Sequence, residues 1–124
     1  MLLRRIIRVL VVDDNAFVRQ GLSMFLEVWE DMRMVGEAEN GQEAVDLCEQ
    51  LQPDVVLMDL NMPVMDGLTA TRIIVQQSPH IHVLILTSSL GVDPQQGIQA
   101  GARAVIRKTG SIDTLAEAIR AAAA

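Results

Sequence analysis

Three carboxylates stand where they could meet: an adjacent pair, Asp13 and Asp14, and a single acid, Asp59. Each position directly follows a short apolar run, Ile6–Val12 for the pair and DVVLM at 54–58 for Asp59. Carboxylates gathered in one crevice repel one another, and such a site is costly without a cation. A donor set of oxygens alone, without nearby histidine or cysteine, selects a hard cation such as magnesium or manganese. Two groups of different chemistry end later apolar runs: Thr87 in ILTSS and Lys108 in VIRKT. A hydroxyl can donate to phosphoryl oxygens and an ammonium can pair with carboxylate or phosphoryl. Together the set could carry phosphoryl transfer onto a carboxylate. Asp59 would attack in line while the cation and Lys108 neutralise the transferring group. Taken singly, each residue has a plainer use. Acids at strand ends face water or cap helices, Thr87 could cap the next helix, and Lys108 could make a surface ion pair. What separates the two readings is whether all five positions reach one rim.

The elements that would bring them there alternate strictly. Ile6–Val12 suits a parallel strand covered on both faces. Residues 16–29 place Phe17, Gly21, Leu22, Phe25, Leu26 and Trp29 at helical spacing. Met34–Ala38 is a weak second strand, Asn40–Gly41 a turn, and Ala44, Val45, Leu47, Cys48 and Leu51 line one side of a second helix stopped by Pro53. Asp54–Met58 is the third strand. Residues 67–77 make a third helix, with Leu68, Thr71 and Val75 on one face, ended by Pro79 and His80. Ile81–Leu86 is the fourth strand. Residues 94–100 make only a short helix, weakened by Gly97. Ala104–Arg107 is the fifth strand. Ser111 can cap a last helix whose Ile112, Leu115, Ala116 and Ile119 recur at i, i+3, i+4 and i+7. Five strands and five helices in alternation predict a doubly wound α/β sandwich with a parallel sheet. The order 2-1-3-4-5 reverses between strands 1 and 3, which puts the site at the carboxyl ends of those strands. Strands 4 and 5 then bring Thr87 and Lys108 to the same edge.

Composition bounds the rest. With 124 residues the chain fits one domain able to bury a sizeable core. One cysteine allows no intrachain disulfide, which fits a reducing compartment. A formal charge of −6 disfavours nucleic-acid binding by this chain itself. The apolar runs are strand-sized and the first lacks a signal-peptide cleavage pattern, so the expected location is the cytoplasm and no membrane contact.

VVDDN at 11–15 and DLNMPVMDG at 59–67, with Thr87 and Lys108 beyond them, resemble the receiver domains of bacterial response regulators over essentially the whole chain. The resemblance implies a flavodoxin-like, CheY-like three-layer sandwich with five parallel strands. It implies phosphorylation of Asp59 by a sensor histidine kinase, and a magnesium or manganese ion held by Asp13, Asp14, Asp59 and the backbone carbonyl of Asn61. It makes Asp14 a more direct ligand than Asp13, and Thr87 and Lys108 the switch threonine and lysine. FVRQGLSMFLE at 17–27, and Thr109 after Lys108, are similar to the LuxR/NarL-type subgroup, whose receivers precede a helix-turn-helix output domain. Residues 1–124 are then the receiver, and any contact with DNA belongs to an output domain absent from this chain. Homodimerisation on phosphorylation is also expected, with activation acting on the face made by helix 4, strand 5 and helix 5.

Other readings remain open at this point. A pseudo-receiver that binds partners without phosphate would be expected to lack an acid, the threonine or the lysine, and none is lost. A phosphohydrolase with an aspartyl nucleophile would want a second acid two positions on, where Asn61 stands. A flavin or nucleotide site would want a glycine- or hydroxyl-rich first loop in place of Asp13-Asp14-Asn15. Asp66 reads as a turn or cap residue, His80 and His82 lie away from the acids, Cys48 reads as a small hydrophobe, and Met62 and Met65 as packing for the loop. One departure from the family stands out. Val105 occupies the position, three before the lysine, where receivers usually carry an aromatic.

Overall fold

Strands form where apolar residues run on without a break, and helices where they recur at three and four. The structure, a computed structural model, describes residues 5–88, 93–108 and 110–124. In chain order it has β1 (Ile7–Val12), α1 (Ala16–Val28), β2 (Met32–Ala38), α2 (Gly41–Leu51), β3 (Val55–Asp59), α3 (Gly67–Gln77), β4 (His82–Thr87), α4 (Pro94–Gln99), β5 (Ala104–Arg107) and α5 (Ile112–Ala123). All strands pair in parallel, in the order β2-β1-β3-β4-β5. The doubly wound sandwich read from the sequence is the one observed.

Alternation along the strands splits the core in two. Leu10, Val12, Val56, Met58, Val83 and Ile85 pack under α2 and α3, with Cys48 and Ile74 among their partners. Val9, Val11, Val55, Leu57, Leu84 and Leu86 face the other way and pack under α1 and α5, against Phe25, Leu26 and Ile119. Burial on both faces is why these strands carry almost no polar residues until their last positions.

Several boundaries and placements differ from the sequence reading. β3 and β4 each begin one residue later, because Asp54 is used before the ladder starts. Its N–H donates to the Arg8 carbonyl at 2.9 Å, its carboxylate accepts from the Arg8 N–H at 2.9 Å, and its carbonyl accepts from His82 at 3.1 Å. β2 starts at Met32, two residues earlier than expected. Asn40 is not a turn residue but the N-cap of α2, its side chain accepting from the Glu43 N–H. The second helix ends on Gln52, in the left-handed region at φ 48°, with Pro53 following it. Phe17 and Ile112, read as core-facing, are 81% and 56% exposed, since each sits in the first turn of its helix beyond the reach of the sheet. Trp29 is the C-cap of α1, at the end of the molecule opposite the carboxylates, with Arg120 stacked on its ring at 4.8 Å.

Gly97 has a use beyond weakening α4. A Cβ there would lie 2.6 Å from Val105 Cγ2 and 3.0 Å from Ile85 Cδ1, so the missing side chain is what lets α4 settle onto β4 and β5. We expect Gly97→Ala to destabilise the fold. Overpacking typically costs about 1–3 kcal/mol, which exceeds the roughly 1 kcal/mol gained in helix propensity. The loss should shrink in a Val105→Ala background, because the two residues share one space. Urea denaturation of the four-member cycle measures it, and an equal penalty in both backgrounds would contradict the contact.

Candidate functional site

The carboxyl ends of the strands form one rim. Asp13 follows β1 directly and is buried, its N–H donating to the Ala38 carbonyl at 3.1 Å. Its Oδ1 accepts from the Asn15 N–H at 2.9 Å, and Asn15 caps α1 by accepting from the N–H groups of Phe17 and Val18. Arg19, one turn into α1, donates to the Asp13 carbonyl at 2.7 Å and to Glu37 at 2.7 Å, pinning this corner to β2. Asp59 is the last residue of β3, and its Oδ1 accepts from the Leu60 N–H at 2.9 Å. Thr87 is the last residue of β4 and is buried. Lys108 follows β5, with its N–H donating to the Thr87 carbonyl at 2.9 Å. Its Nζ donates to Asp13 Oδ2 at 2.6 Å and to Asp59 Oδ1 at 3.3 Å. Asp13, Asp14 and Asp59 each offer an oxygen, and these oxygens lie within 4.8 Å of one another.

The electrostatics follow from burial and neighbours. Asp59 is held above the usual carboxylate range, first by burial and further by the charge of Asp13, while Lys108 opposes the shift. Burial alone would lower the Lys108 ammonium, but its bond to Asp13 and the charges of Asp59 and Asp13 outweigh that and raise it. Both oxygens of Asp13 are engaged, by Asn15 and by Lys108, whereas Asp14 is exposed. Asp14 and Asp59 are therefore the acids better disposed to bind a cation, with Asp13 behind them. The donors are all oxygens, and one ammonium stands against three carboxylates. That chemistry fits a hard divalent ion.

The loop after Asp59 is drawn tight by Gly67 at its end and by Gly41, which reaches it from the start of α2. The Gly67 N–H donates to the Leu60 carbonyl at 2.9 Å, and a Cβ at residue 67 would fall 2.0 Å from the Asp59 carbonyl oxygen. Gly41 donates to the Met65 carbonyl at 2.9 Å, where a Cβ would lie 2.5 Å from that oxygen. Asp66 caps α3 by accepting from the Thr69 N–H, as its place before the helix suggested. Met62 and Met65 pack against the core cluster under α2 and α3. Asn61 lies exposed on the loop, two residues past Asp59.

Of the residues singled out in the sequence, Asp13, Asp14, Asp59 and Lys108 come together, and Thr87 joins them at the rim. His82 opens β4 at the opposite end of the sheet, and burial together with Arg103 lowers it from the usual histidine range. Cys48 is buried, its thiol pushed up to about 12 by desolvation, as befits a small hydrophobe. Ser89, which together with Ser88 would link Thr87 to α4, and Thr109 lie outside the described residues. Sequence reasoning missed the parts that Arg19, Asn15 and Gly41 play at the site. Asn15 before an apolar helix was a legible cap signal, but nothing in the sequence announces Arg19 or Gly41, whose roles depend on tertiary neighbours.

These features coincide with a known family. The family model for the response regulator receiver domain matches residues 9–120, and the chain belongs to that family. It is 44% identical over 117 residues to the transcriptional regulatory protein LiaR of Bacillus subtilis, covering 94% of this chain and 56% of LiaR. The chain thus spans about half the length of such curated relatives. Among solved structures it is similar to the response regulator domain of Thermotoga maritima CheB, with TM-score 0.88, 34% identity and coverage of 96% and 97%. It also resembles a LuxR-family two-component response regulator from Aurantimonas sp. SI85-9A1, with TM-score 0.86, 32% identity and coverage of 94% and 84%. The similarity to LuxR-family regulators supports a receiver of the kind that precedes a LuxR-type output domain. Among the described residues no helix is long and apolar enough to cross a membrane.

Proposed function

We propose that this chain is a cytoplasmic phosphorylation switch in which Asp59 accepts a phosphoryl group from a histidine of a sensor kinase. The observation that carries the reading is Lys108 Nζ, bonded to both Asp13 and Asp59 inside a cluster of three carboxylates. In the transfer, an Asp59 carboxylate oxygen forms the new P–O bond as the donor's P–N bond breaks. The electron pair of that bond leaves with the imidazole nitrogen. Among the described residues Asp59 Oδ2 accepts no hydrogen bond, whereas Oδ1 is tied to Leu60 and Lys108, so Oδ2 is the attacking oxygen. Lys108 shifts from the carboxylates to the incoming phosphoryl oxygens, and Thr87 donates to the same group from the tip of β4. A magnesium or manganese ion would be held by Asp14, Asp59, the Asn61 carbonyl and, directly or through water, Asp13. When bound, it supplies charge neutralisation on the phosphoryl oxygens. None of the five positions is lost, which argues against a pseudo-receiver.

The output follows the fold. Residues 1–124 form the receiver, and contact with DNA would lie in an output domain outside this chain. Phosphate draws on Thr87 and Lys108, at the ends of β4 and β5, and α4 rests on those two strands through Gly97. The α4–β5–α5 face therefore changes, and self-association of the receiver increases. Val105 fills the space under Gly97, so no large ring exchanges between inward and outward positions here. The test is beryllofluoride with magnesium, a phosphoryl mimic. We expect amide shifts concentrated in α4, β5 and α5, and more dimer by sedimentation velocity. A spectrum that changes only around the acids, with a sample that stays monomeric, would contradict the switch.

A further inference from the structure

An arginine outside the carboxylate cluster grips the backbone between two of its members. Arg19 lies one turn into α1, with a side chain only 14% exposed. Its Nη1 donates to the Asp13 carbonyl at 2.7 Å and its Nε to Glu37 Oε1 at 2.7 Å. The carbonyl it holds belongs to the peptide that joins Asp13 to Asp14. A peptide is planar, so fixing its oxygen fixes the plane as far as the Cα of Asp14. Asp14 depends on this more than Asp13 does. Both Asp13 oxygens are tied, to Asn15 and to Lys108. The Asp14 carboxylate is exposed and has no hydrogen bond or ion pair among the described residues. Where Asp14 points is therefore decided by its backbone, and Arg19 holds that backbone.

The same placement carries a hazard. A guanidinium bonded to the peptide beside a free carboxylate can turn and pair with it, because the two match as planar forks. Asp14 would then be withheld from a cation. Glu37, near the end of β2, engages the Arg19 Nε and supplies a competing carboxylate. With five donors in one plane, the guanidinium serves the Asp13 carbonyl and Glu37 together, which an ammonium cannot do with the same geometry. We propose that Arg19 and Glu37 are a positioning pair for the divalent-cation site. Arg19 fixes the peptide from which Asp14 projects, and Glu37 keeps the guanidinium off the Asp14 carboxylate. Neither residue touches the ion. The inference rests on the reading of Asp13, Asp14 and Asp59 as a hard-cation site.

The experiment is calorimetric titration of magnesium into the full chain, with the melting temperature of the metal-free protein measured alongside. The samples are wild type, Glu37→Gln, Arg19→Met and the double variant. E37Q keeps the size of the side chain, and exposed ion pairs contribute little to stability. We expect its metal-free melting temperature to match wild type and its magnesium affinity to fall about tenfold, the scale for losing a partner that orients a metal ligand. R19M, which keeps the aliphatic stem, should lose a similar factor. With Arg19 gone, Glu37 has nothing to restrain, so adding E37Q to R19M should change the affinity little. A second readout stands even where R19M does not fold. In E37Q magnesium must displace Arg19 from Asp14, so the Arg19 Nε–H resonance should move further on titration than in wild type. Wild-type affinity in E37Q, or a resonance that moves no further, would overturn the proposal. An equal loss from E37Q in both backgrounds would make Glu37 a distant charge and sink the pairing. A lowered metal-free melting temperature with unchanged affinity would make Arg19 a strut between α1 and β2, also against the proposal. A wild-type chain that binds no magnesium would overturn the cation reading itself, whereas wild-type binding with unaffected variants overturns the positioning pair alone.

Discussion

Lys108→Ala is expected to slow labelling of Asp59 by a small phosphodonor roughly 100-fold, the usual scale for removing one preorganised group that stabilises developing charge. The ammonium donates to Asp13 at 2.6 Å and to Asp59 at 3.3 Å, and its place at the end of β5 aims it at any group held on Asp59. Charge-assisted bonds of this kind are about twice as strong as neutral ones. Magnesium binding should persist in the variant and tighten, because a competing cation leaves while all three carboxylates stay. The two readouts move in opposite directions, which separates lost charge stabilisation from misfolding. The beryllofluoride-induced amide shifts in β5 and α5 should also shrink, since the link from phosphoryl oxygen to β5 is cut. Mass spectrometric time courses and calorimetric magnesium titration measure the first two effects. A labelling rate near that of wild type, or magnesium affinity lost together with labelling, would contradict this role.

Gly67→Ala should be among the most damaging single-methyl changes in the chain. The added Cβ would meet the Asp59 carbonyl oxygen at 2.0 Å, its carbon at 2.9 Å and Leu60 Cα at 3.0 Å. All three are backbone atoms, so no side-chain rotation relieves the clash. The loop ends must part, which breaks the Gly67 to Leu60 bond and shifts the oxygen that Thr71 donates to at 2.7 Å. We expect a loss of about 3 kcal/mol or more, at or beyond the upper end of ordinary overpacking, together with poor labelling of the displaced Asp59. Gly21→Ala is the matching control. Nothing lies within 4 Å of a Cβ there, so the change should be neutral or stabilising by up to about 1 kcal/mol. Urea denaturation of both variants decides it, and equal stability for the two would contradict the reading of the loop.

The centre of the sheet was legible because β1, β3 and β4, buried on both faces, have almost no polar residues, and each such run stops at an acid or a threonine. The stopping residues are also the site, so fold and site were read from one pattern. Helix first turns were harder. Phe17 and Ile112 keep helical spacing but lie beyond the end of the sheet, and periodicity alone cannot say where a helix overhangs what it covers. Gly97 was read as a local weakness because propensity is local. Its use lies in Val105 and Ile85, which only the packing of α4 brings beside it. Arg19 and Gly41 escaped for the same reason: Glu37, which Arg19 ties to the Asp13 corner, and Met65, whose carbonyl Gly41 bonds, are remote in the chain.

The central claim is that Asp59 is the sole phosphoacceptor. Intact mass after incubation with acetyl phosphate and magnesium tests it most directly, on wild type and on Asp59→Asn, with and without chelator. One phosphoryl group adds about 80 Da. Wild type should gain one such increment only when magnesium is present, and the substituted chain should gain none. A magnesium-dependent increment of wild-type size in Asp59→Asn would contradict the account.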